Sequence, residues 1–311
     1  MTHPESRQPD EPARRIAISG ASGFLGSALA ARLQTHGMTI HRLRRGPRAA
    51  PPDVAWRPDA GEIDAAALEG VDAVVNLAGA AIARRWTERR KREIFDSRVG
   101  GTALIARSLA QLARRPAAFI SGSAIGIYGD RGEEELDEDS AIGSGFLAQT
   151  AAAWEEATEP ARAAGIRVVH VRTGIVLNPR GGALQKLLLP YKLALGGRIG
   201  SGSQWMSWIG LEDWVRAVEF ALAPDLTGPV NFVAPNPVPN AEFVKTLARV
   251  LGRPAMIPIP ARAVDALFGE MGRATLLGSQ RVRPRYLTEA GFEFSHPTLE
   301  QALRAELVES A

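Results

Sequence analysis

Residues 15–26 read Arg15-Ile16-Ala17-Ile18-Ser19-Gly20-Ala21-Ser22-Gly23-Phe24-Leu25-Gly26. A short apolar run meets a glycine, and two more glycines follow at intervals of three. Beyond them Leu25, Ala28, Leu29 and Leu33 share one helical face, so the stretch reads as strand, tight turn and helix. Gly20 permits the turn, Gly23 lets backbone approach a pyrophosphate, and Gly26 allows close packing of helix on strand. The unpaired N–H groups at the start of that helix attract an anion. Gly20, Ser22, Gly23, Phe24, Leu25 and Gly26 are therefore candidate dinucleotide contacts; the competing reading is a glycine-rich turn without a ligand.

The next strand, Met38–Leu43, decides which dinucleotide. A site for NAD carries an acidic residue about 20 positions beyond the last glycine, to hold the ribose 2′-hydroxyl. Between Gly26 and Asp53 there is none, and Arg42, Arg44, Arg45 and Arg48 crowd the strand end instead. Guanidinium groups pair with a 2′-phosphate through charge-assisted bonds, so the expected cofactor is NADP(H). An ordinary solvated basic turn is the alternative.

Composition narrows the class. Of 311 residues, 37 are Lys or Arg and 34 Asp or Glu, leaving a net charge of +3, with 45% hydrophobic residues. That is a globular composition, long enough for two modules at roughly 150 residues each. There is no cysteine, which excludes disulfides and thiolate chemistry and makes a reducing cytoplasm the default. His3, His36, His41, His170 and His296 are scattered, so no metal site is expected. The longest apolar stretch, Ala73 to Ala83, is interrupted by Asn76 and too short for a membrane span. Met1 to Arg14 lacks the apolar segment of a signal peptide and reads as a disordered tail. Seven basic residues fall between Arg84 and Arg98, but no nucleic-acid module accompanies them, and a solvated helix face is the better reading.

Strand-like runs alternate with helical patterns: Arg15–Ser19, Met38–Leu43, Ala73–Leu77, Ala118–Ser121, Val168–Arg172 and Val230–Val233. This is the signature of βαβ units and a parallel sheet. Trp214, Ala217, Val218, Ala221 and Leu222 mark a later helix, Asn240 opens another, and Thr298 with Gln301 forms a capping box before the last. Gly196 to Gly202 resembles a phosphate loop but lacks its Gly-Lys-Ser/Thr ending, and a mobile substrate-side loop is expected.

From about Ile16 to Leu307 the chain resembles the epimerase-family subgroup of atypical short-chain dehydrogenases/reductases, with a C-terminal domain of unknown function. The matching blocks include Asn76-Leu77-Ala78-Gly79, Arg85-Trp86-Thr87, Asp96-Ser97-Arg98, Ser121-Gly122-Ser123-Ala124, Tyr128-Gly129, Arg172-Thr173-Gly174, Gln204-Trp205, Ser207-Trp208-Ile209 and Gly291-Phe292-Glu293-Phe294. The resemblance implies an α/β Rossmann-type, doubly wound parallel sheet over residues 15–180, with 211–234 returning to it. A smaller α+β substrate-side part comprises 181–210 and 235–311. It further implies that Leu77, Ala78 and Gly79 line the adenosine and ribose side, that Arg45 takes the 2′-phosphate, that Thr173, Gly174 and Ile175 meet the nicotinamide, and that Ser121 lies on the cofactor side.

The chain departs from the superfamily at its chemistry. Active members use Tyr-x-x-x-Lys, in which the lysine lowers the tyrosine pKa. Here Tyr128, Tyr191 and Tyr286 are followed four positions later by Gly132, Leu195 and Ala290. The expected helix reads Phe146-Leu147-Ala148-Gln149-Thr150-Ala151, as the subgroup also lacks the pair. A histidine usual after the Ser-Trp-Ile block is replaced by Gly210. The remaining candidates for catalysis are Ser123, which either hydrogen-bonds a substrate carbonyl or satisfies backbone, and Tyr128, a cleft donor or a buried structural phenol. Trp86, Arg98, Trp205 and Trp208 are candidate substrate contacts, core packing being the commoner fate of the tryptophans. Two functions are consistent with this: an NADP(H)-dependent oxidoreductase or epimerase on an unidentified small molecule, or an NADP(H) sensor acting through a partner protein. Neither nucleic acid nor membrane is an expected partner, and monomer and homodimer stay open.

Overall fold

The computed structural model describes residues 14–193 and 195–307. Of the expected N-terminal tail only Arg14 falls among them. In chain order the strands are β1 (Arg15–Ser19), β2 (Thr39–Arg45), β3 (Val54–Arg57), β4 (Glu62–Ile63), β5 (Ala73–Asn76), β6 (Ala118–Ala124), β7 (Glu135–Leu136), β8 (Arg167–Thr173), β9 (Ile175–Asn178), β10 (Trp205–Met206), β11 (Trp208–Gly210), β12 (Gly228–Phe232), β13 (Val238–Pro239) and β14 (Arg281–Val282). The helices are α1 (Phe24–Thr35), α2 (Glu88–Gln111), α3 (Phe146–Glu156), α4 (Glu159–Ala163), α5 (Gly182–Lys192), α6 (Leu211–Phe220), α7 (Asn240–Leu251), α8 (Ala261–Phe268), α9 (Glu270–Gly272), α10 (Arg285–Glu289) and α11 (Leu299–Leu307).

Eight strands form one sheet in the order β12-β8-β6-β5-β1-β2-β3-β4, parallel throughout except for the β3–β4 pairing. Its central strands are apolar on both faces, as a sheet covered by helices on both sides requires. Ile16, Ile18, Val75 and Ile120 pack with α1 and α6 through Leu29, Leu33, Trp214 and Val218. On the other face Ala17, Val74 and Phe119 pack with Leu104, Ile105 and Leu109 of α2. β2 and β5 leave β1 in opposite directions, which opens a crevice above its carboxyl end. The six strands expected from the sequence all lie in this sheet; the β3–β4 hairpin was not expected.

A further core joins α5, α7 and α11. Leu184, Leu188, Trp208, Phe243, Leu247, Leu299 and Leu303 close it. The Gly196–Gly202 segment, expected as a mobile loop, is instead pinned there. Ile259 N–H donates to Arg198 O at 2.8 Å and Gly200 N–H to Ile259 O at 2.8 Å, while Ile199 N–H donates to Asn240 Oδ1 at 2.8 Å. A Cβ on Gly197 would collide with the Ile257 backbone. β14 pairs in parallel with β7, so the last part of the chain returns to the first half. Among the described residues no helix is long and apolar enough to cross a membrane, and no three His, Asp or Glu side chains cluster as metal ligands.

Candidate functional site

The cofactor-side candidates lie at or just beyond the carboxyl ends of β1, β2, β5, β6 and β8. Gly20 turns the chain out of β1 with φ +70°, and a Cβ there would come 2.9 Å from the Leu77 carbonyl carbon. A Cβ on Gly26 would strike the Gly20 carbonyl. These two glycines hold strand, loop and helix in contact, as the motif demands. α1 starts from Gly23 with no side-chain cap and no acid in its first turn. Among the described residues the amides of Phe24, Leu25 and Gly26 also find no backbone acceptor, so an anion at this end meets open donors and the favourable end of the helix dipole. The Phe24 ring lies against Gly181, where a Cβ would collide with it, and beside Gly182.

The loop after β5 is held from beneath. Ser19 Oγ accepts the Leu77 and Ala78 amides at 3.2 Å each, and Asn76 Nδ2 donates to Thr102 Oγ1 at 2.7 Å. Leu77 is half-buried, Ala78 buried and Gly79 exposed, which leaves a backbone-lined wall for a ligand. At the end of β2 the two arginines differ. Arg44 is ion-paired to Asp53, a carboxylate brought alongside by β3 pairing with β2. Arg45 is exposed and has no ion-pair partner among the described residues. The donor set fits a 2′-phosphorylated dinucleotide: bare helix amides, a glycine cradle and an unpaired guanidinium on the adenosine side.

Beyond β6 the picture changes. Ser123 is buried, and its hydroxyl donates to Glu155 Oε1 at 2.6 Å. Arg172 grips the same carboxylate, Nε to Oε1 at 2.8 Å and Nη2 to Oε2 at 2.9 Å. Arg172 Nη1 also donates to the Tyr128 hydroxyl at 2.9 Å, and that hydroxyl donates to Asn231 Oδ1 at 2.8 Å. Burial works against ionisation of Glu155, but the Arg172 pair outweighs it and holds the carboxyl below its usual range. Burial likewise pushes the Tyr128 phenol up to about 12.

Tyr128 is 0% exposed. Of the two readings of Tyr128, a cleft donor or a buried structural phenol, its place fits the second: its hydroxyl is spent inside the core. The Ser123 hydroxyl is engaged by the Glu155 side chain rather than by backbone. Ser121 is 0% exposed, with its hydroxyl turned to the neighbouring Gly122 carbonyl at 3.4 Å. Thr173 Oγ1 accepts the Trp214 indole N–H at 3.2 Å, and Gly174 and Ile175 lie beside the Ser207 carbonyl.

Of the tryptophans, Trp208 is wholly buried, its N–H on Asn236 O at 3.1 Å, so it cannot touch a ligand. Trp86 meets Phe146 edge-on with centroids 5.0 Å apart and packs with Ile94 and Met271. Trp205 is half-buried under the Arg281 guanidinium, 4.5 Å from the ring centroid. Arg98 stands at the loop after β5, with Nη1 donating to Ala80 O at 3.0 Å. Where the histidine of the subgroup is replaced by Gly210, Glu306 of α11 accepts the Leu211 amide at 2.9 Å and Asn178 Nδ2 at 2.6 Å, capping α6 in trans. Asp53, Glu155, Arg172 and Glu306 were not foreseen. Of these, Arg172 had a signal in the sequence, as the first residue of the Arg172-Thr173-Gly174 block.

Comparison with known proteins accounts for this arrangement. Residues 16–232 match the NAD dependent epimerase/dehydratase family and residues 259–306 a domain of unknown function, DUF1731. The chain is 46% identical to Epimerase family protein MT2273 of Mycobacterium tuberculosis, over 93% of this chain and 96% of the relative. It is 37% identical to human Epimerase family protein SDR39U1, over 93% of this chain and 98% of that protein. The crystal structure of human SDR39U1 (isoform 2) with NADPH superimposes with a TM-score of 0.85 at 35% identity, covering 94% of this chain and 98% of that one. A nucleoside-diphosphate sugar epimerase from Corynebacterium glutamicum gives 0.78 at 35% identity, covering 95% of this chain and 58% of that one. With its glycine cradle, its doubly wound sheet and its C-terminal segment all matched, the chain belongs to the NAD dependent epimerase/dehydratase family, in the epimerase-family subgroup of short-chain dehydrogenases/reductases.

Proposed function

We propose that the protein is an NADP(H)-dependent oxidoreductase or epimerase-type enzyme acting on a small molecule, whose proton chemistry does not run through tyrosine and lysine. The observation that carries the reading is Arg45. It stands exposed and without an ion-pair partner among the described residues at the end of β2, while the neighbouring Asp53 is engaged by Arg44. The NADPH named with the human relative supports the same cofactor.

When bound, the nicotinamide supplies or accepts a hydride. This chain's residues do the rest. The α1 amides and the Gly20–Gly26 loop hold the pyrophosphate, Arg45 holds the 2′-phosphate, and the Leu77–Gly79 backbone lines the ribose side. Ser123, its proton engaged by Glu155, is left with an oxygen that accepts, which suits a substrate hydroxyl better than a carbonyl. No separate observation favours a sensor working through a partner.

The test is titration of tryptophan fluorescence with NADPH and NADH, followed by a search for hydride exchange with candidate carbonyls and alcohols. Tighter binding of NADPH is expected. Equal affinities would sink the assignment of the cofactor.

A further inference from the structure

Behind Ser123 and Glu155 stands a second titratable side chain, His170. It lies on β8 two residues before Arg172, hence on the same face of the strand, with 14% of its side chain exposed. Thr158 fixes its hydrogen. The Thr158 hydroxyl has one proton, given to the Glu155 backbone carbonyl at 2.7 Å, so in the 2.9 Å contact of Thr158 Oγ1 with His170 Nε2 the ring is the donor. Neutral His170 therefore keeps a lone pair on Nδ1. That atom is buried, has no hydrogen-bond partner among the described residues, and faces Glu155 Oε2 at 3.7 Å. Glu155 Oε1 takes the Ser123 proton at 2.6 Å. A hydroxyl, a carboxylate and an imidazole lone pair thus stand in a row, starting one residue short of the carboxyl end of β6.

The electrostatics favour the far end of that row. Arg172 holds Glu155 ionised, which makes the carboxylate a poor resting place for a proton. Burial holds His170 below its ordinary value, Glu155 pulling the other way and Arg172 and Arg162 adding to the depression, so the ring is neutral at pH 7 and can take a proton. Those charges come from α3, from its own strand and from α4, where Arg162 is paired with Glu159 at 2.5 Å. Its register neighbours on the flanking strands, Ser121 and Pro229, carry none.

We infer that Ser123, Glu155 and His170 form one proton-transfer chain, with His170 Nδ1 as the terminal acceptor for the proton that leaves a substrate hydroxyl. The inference rests on the oxidoreductase reading proposed above. An alcohol carbon that yields its hydride to the oxidised nicotinamide leaves one proton on oxygen. That proton passes to Ser123 Oγ as the serine's own proton moves to Glu155 Oε1. The carboxyl then turns about its Cγ–Cδ bond and gives the proton to Nδ1, which restores the carboxylate and leaves an imidazolium paired with it. Only Ser123 touches substrate; Glu155 and His170 are positioning residues that act through it.

The experiment is nitrogen NMR of the full chain carrying isotope-labelled histidine, with His170→Gln identifying the His170 signals. Neutral His170 should carry its hydrogen on Nε2; a hydrogen on Nδ1 overturns the inference, since no acceptor then faces the carboxylate. Ser123→Ala removes a donor from the carboxylate and should raise the His170 pKa by about half a unit or more. An unchanged value overturns the chain and leaves His170 a ring satisfied by Thr158. Glu155→Gln should lower the same pKa, and where that variant does not fold, Ser123→Ala carries the test. Turnover is read separately, with NADP+ and the alcohol identified by hydride exchange as probes. There kcat should fall about tenfold per pH unit below the pKa measured by NMR, and His170→Gln should lose that limb; a limb that persists in the variant overturns the inference. If no alcohol exchanges hydride, the enzyme reading falls and takes the role in turnover with it, whereas the NMR arms alone decide whether the three side chains titrate as one.

Discussion

Glu155 and Arg172 meet side by side, two nitrogens on two oxygens at 2.8 and 2.9 Å, with 12% and 7% of their side chains exposed. The pair links α3 to β8, and Ser123 of β6 leans on it. The helix without Tyr-x-x-x-Lys has an ionic anchor to the sheet.

Breaking that pair should be expensive. Glu155→Gln leaves Arg172 charged and buried, and loss of one partner of a buried pair costs about 3–5 kcal/mol. The pH dependence has a definite sign: the folded pKa lies below the unfolded value of about 4.3, so the stabilisation is present above that value and lost as pH falls through the folded one. Urea unfolding from neutral pH into the acid range should show wild type losing stability steeply and Glu155→Gln less so. Parallel curves would show that the pair contributes nothing to acid sensitivity.

Arg45→Ala should weaken NADPH binding by about 1.5–3 kcal/mol, the range for hydrogen bonds to charged groups, and leave NADH nearly unaffected. Arg44→Ala, whose guanidinium is already held by Asp53, should change the NADPH to NADH ratio little. Fluorescence titration of both variants separates the two roles. A preference for NADPH that survives in Arg45→Ala removes that residue from the site.

Tyr128→Phe removes the hydroxyl shared by Arg172 Nη1 and Asn231 Oδ1, leaving Nη1 the Glu138 carbonyl at 3.4 Å, and should destabilise the fold by about 1–3 kcal/mol. Cofactor affinity should not move. Because burial raises the phenol in the folded state, its contribution to stability is present below the unfolded value of about 10 and lost as pH rises through the folded one. Alkaline unfolding should therefore be blunted in the phenylalanine variant. A collapse of NADPH binding in Tyr128→Phe would return the residue to the cleft.

Turnover on simple aldehydes, alcohols and nucleotide sugars should be slow or absent even with NADPH bound, because no phenol stands beside an ammonium to shuttle a proton. Ser123→Ala should abolish the authentic activity and spare cofactor affinity. Brisk reduction of ordinary aldehydes by wild type contradicts the first statement, and a fully active alanine variant the second.

What could be read beforehand was local. Gly20, Gly23 and Gly26 declare a strand–turn–helix by spacing alone, and β1, β2, β5, β6, β8 and β12 carry their own apolar runs. What could not be read depends on contacts between distant segments. Asp53 reaches Arg44 only because β3 pairs with β2, and the β3–β4 hairpin hides in a stretch punctuated by Pro47, Pro51, Pro52 and Pro58. That Tyr128 and Trp208 are core side chains could be weighed from the sequence, but not that Asn231 and Asn236, far along the chain, receive their polar atoms. Glu306 reaches the start of α6 from 95 residues away, a relation that no local pattern encodes.

The pairing of β14 with β7 bears on how such a chain tolerates damage. Arg281 and Val282 lie beside Glu135 and Leu136, Ile259 bridges to Ile199, and Leu299 and Leu303 close the core around Trp208. The segment that begins at residue 259 is therefore no detachable appendage. A premature stop upstream of it would uncover apolar side chains in the middle of the chain and leave the α6 amide at Leu211 without its carboxylate. In a population of genes, nonsense changes late in the reading frame should be purged as strictly as those near the glycine loop, and an exchange of C-terminal segments between relatives should succeed only when the strands they complete travel with them.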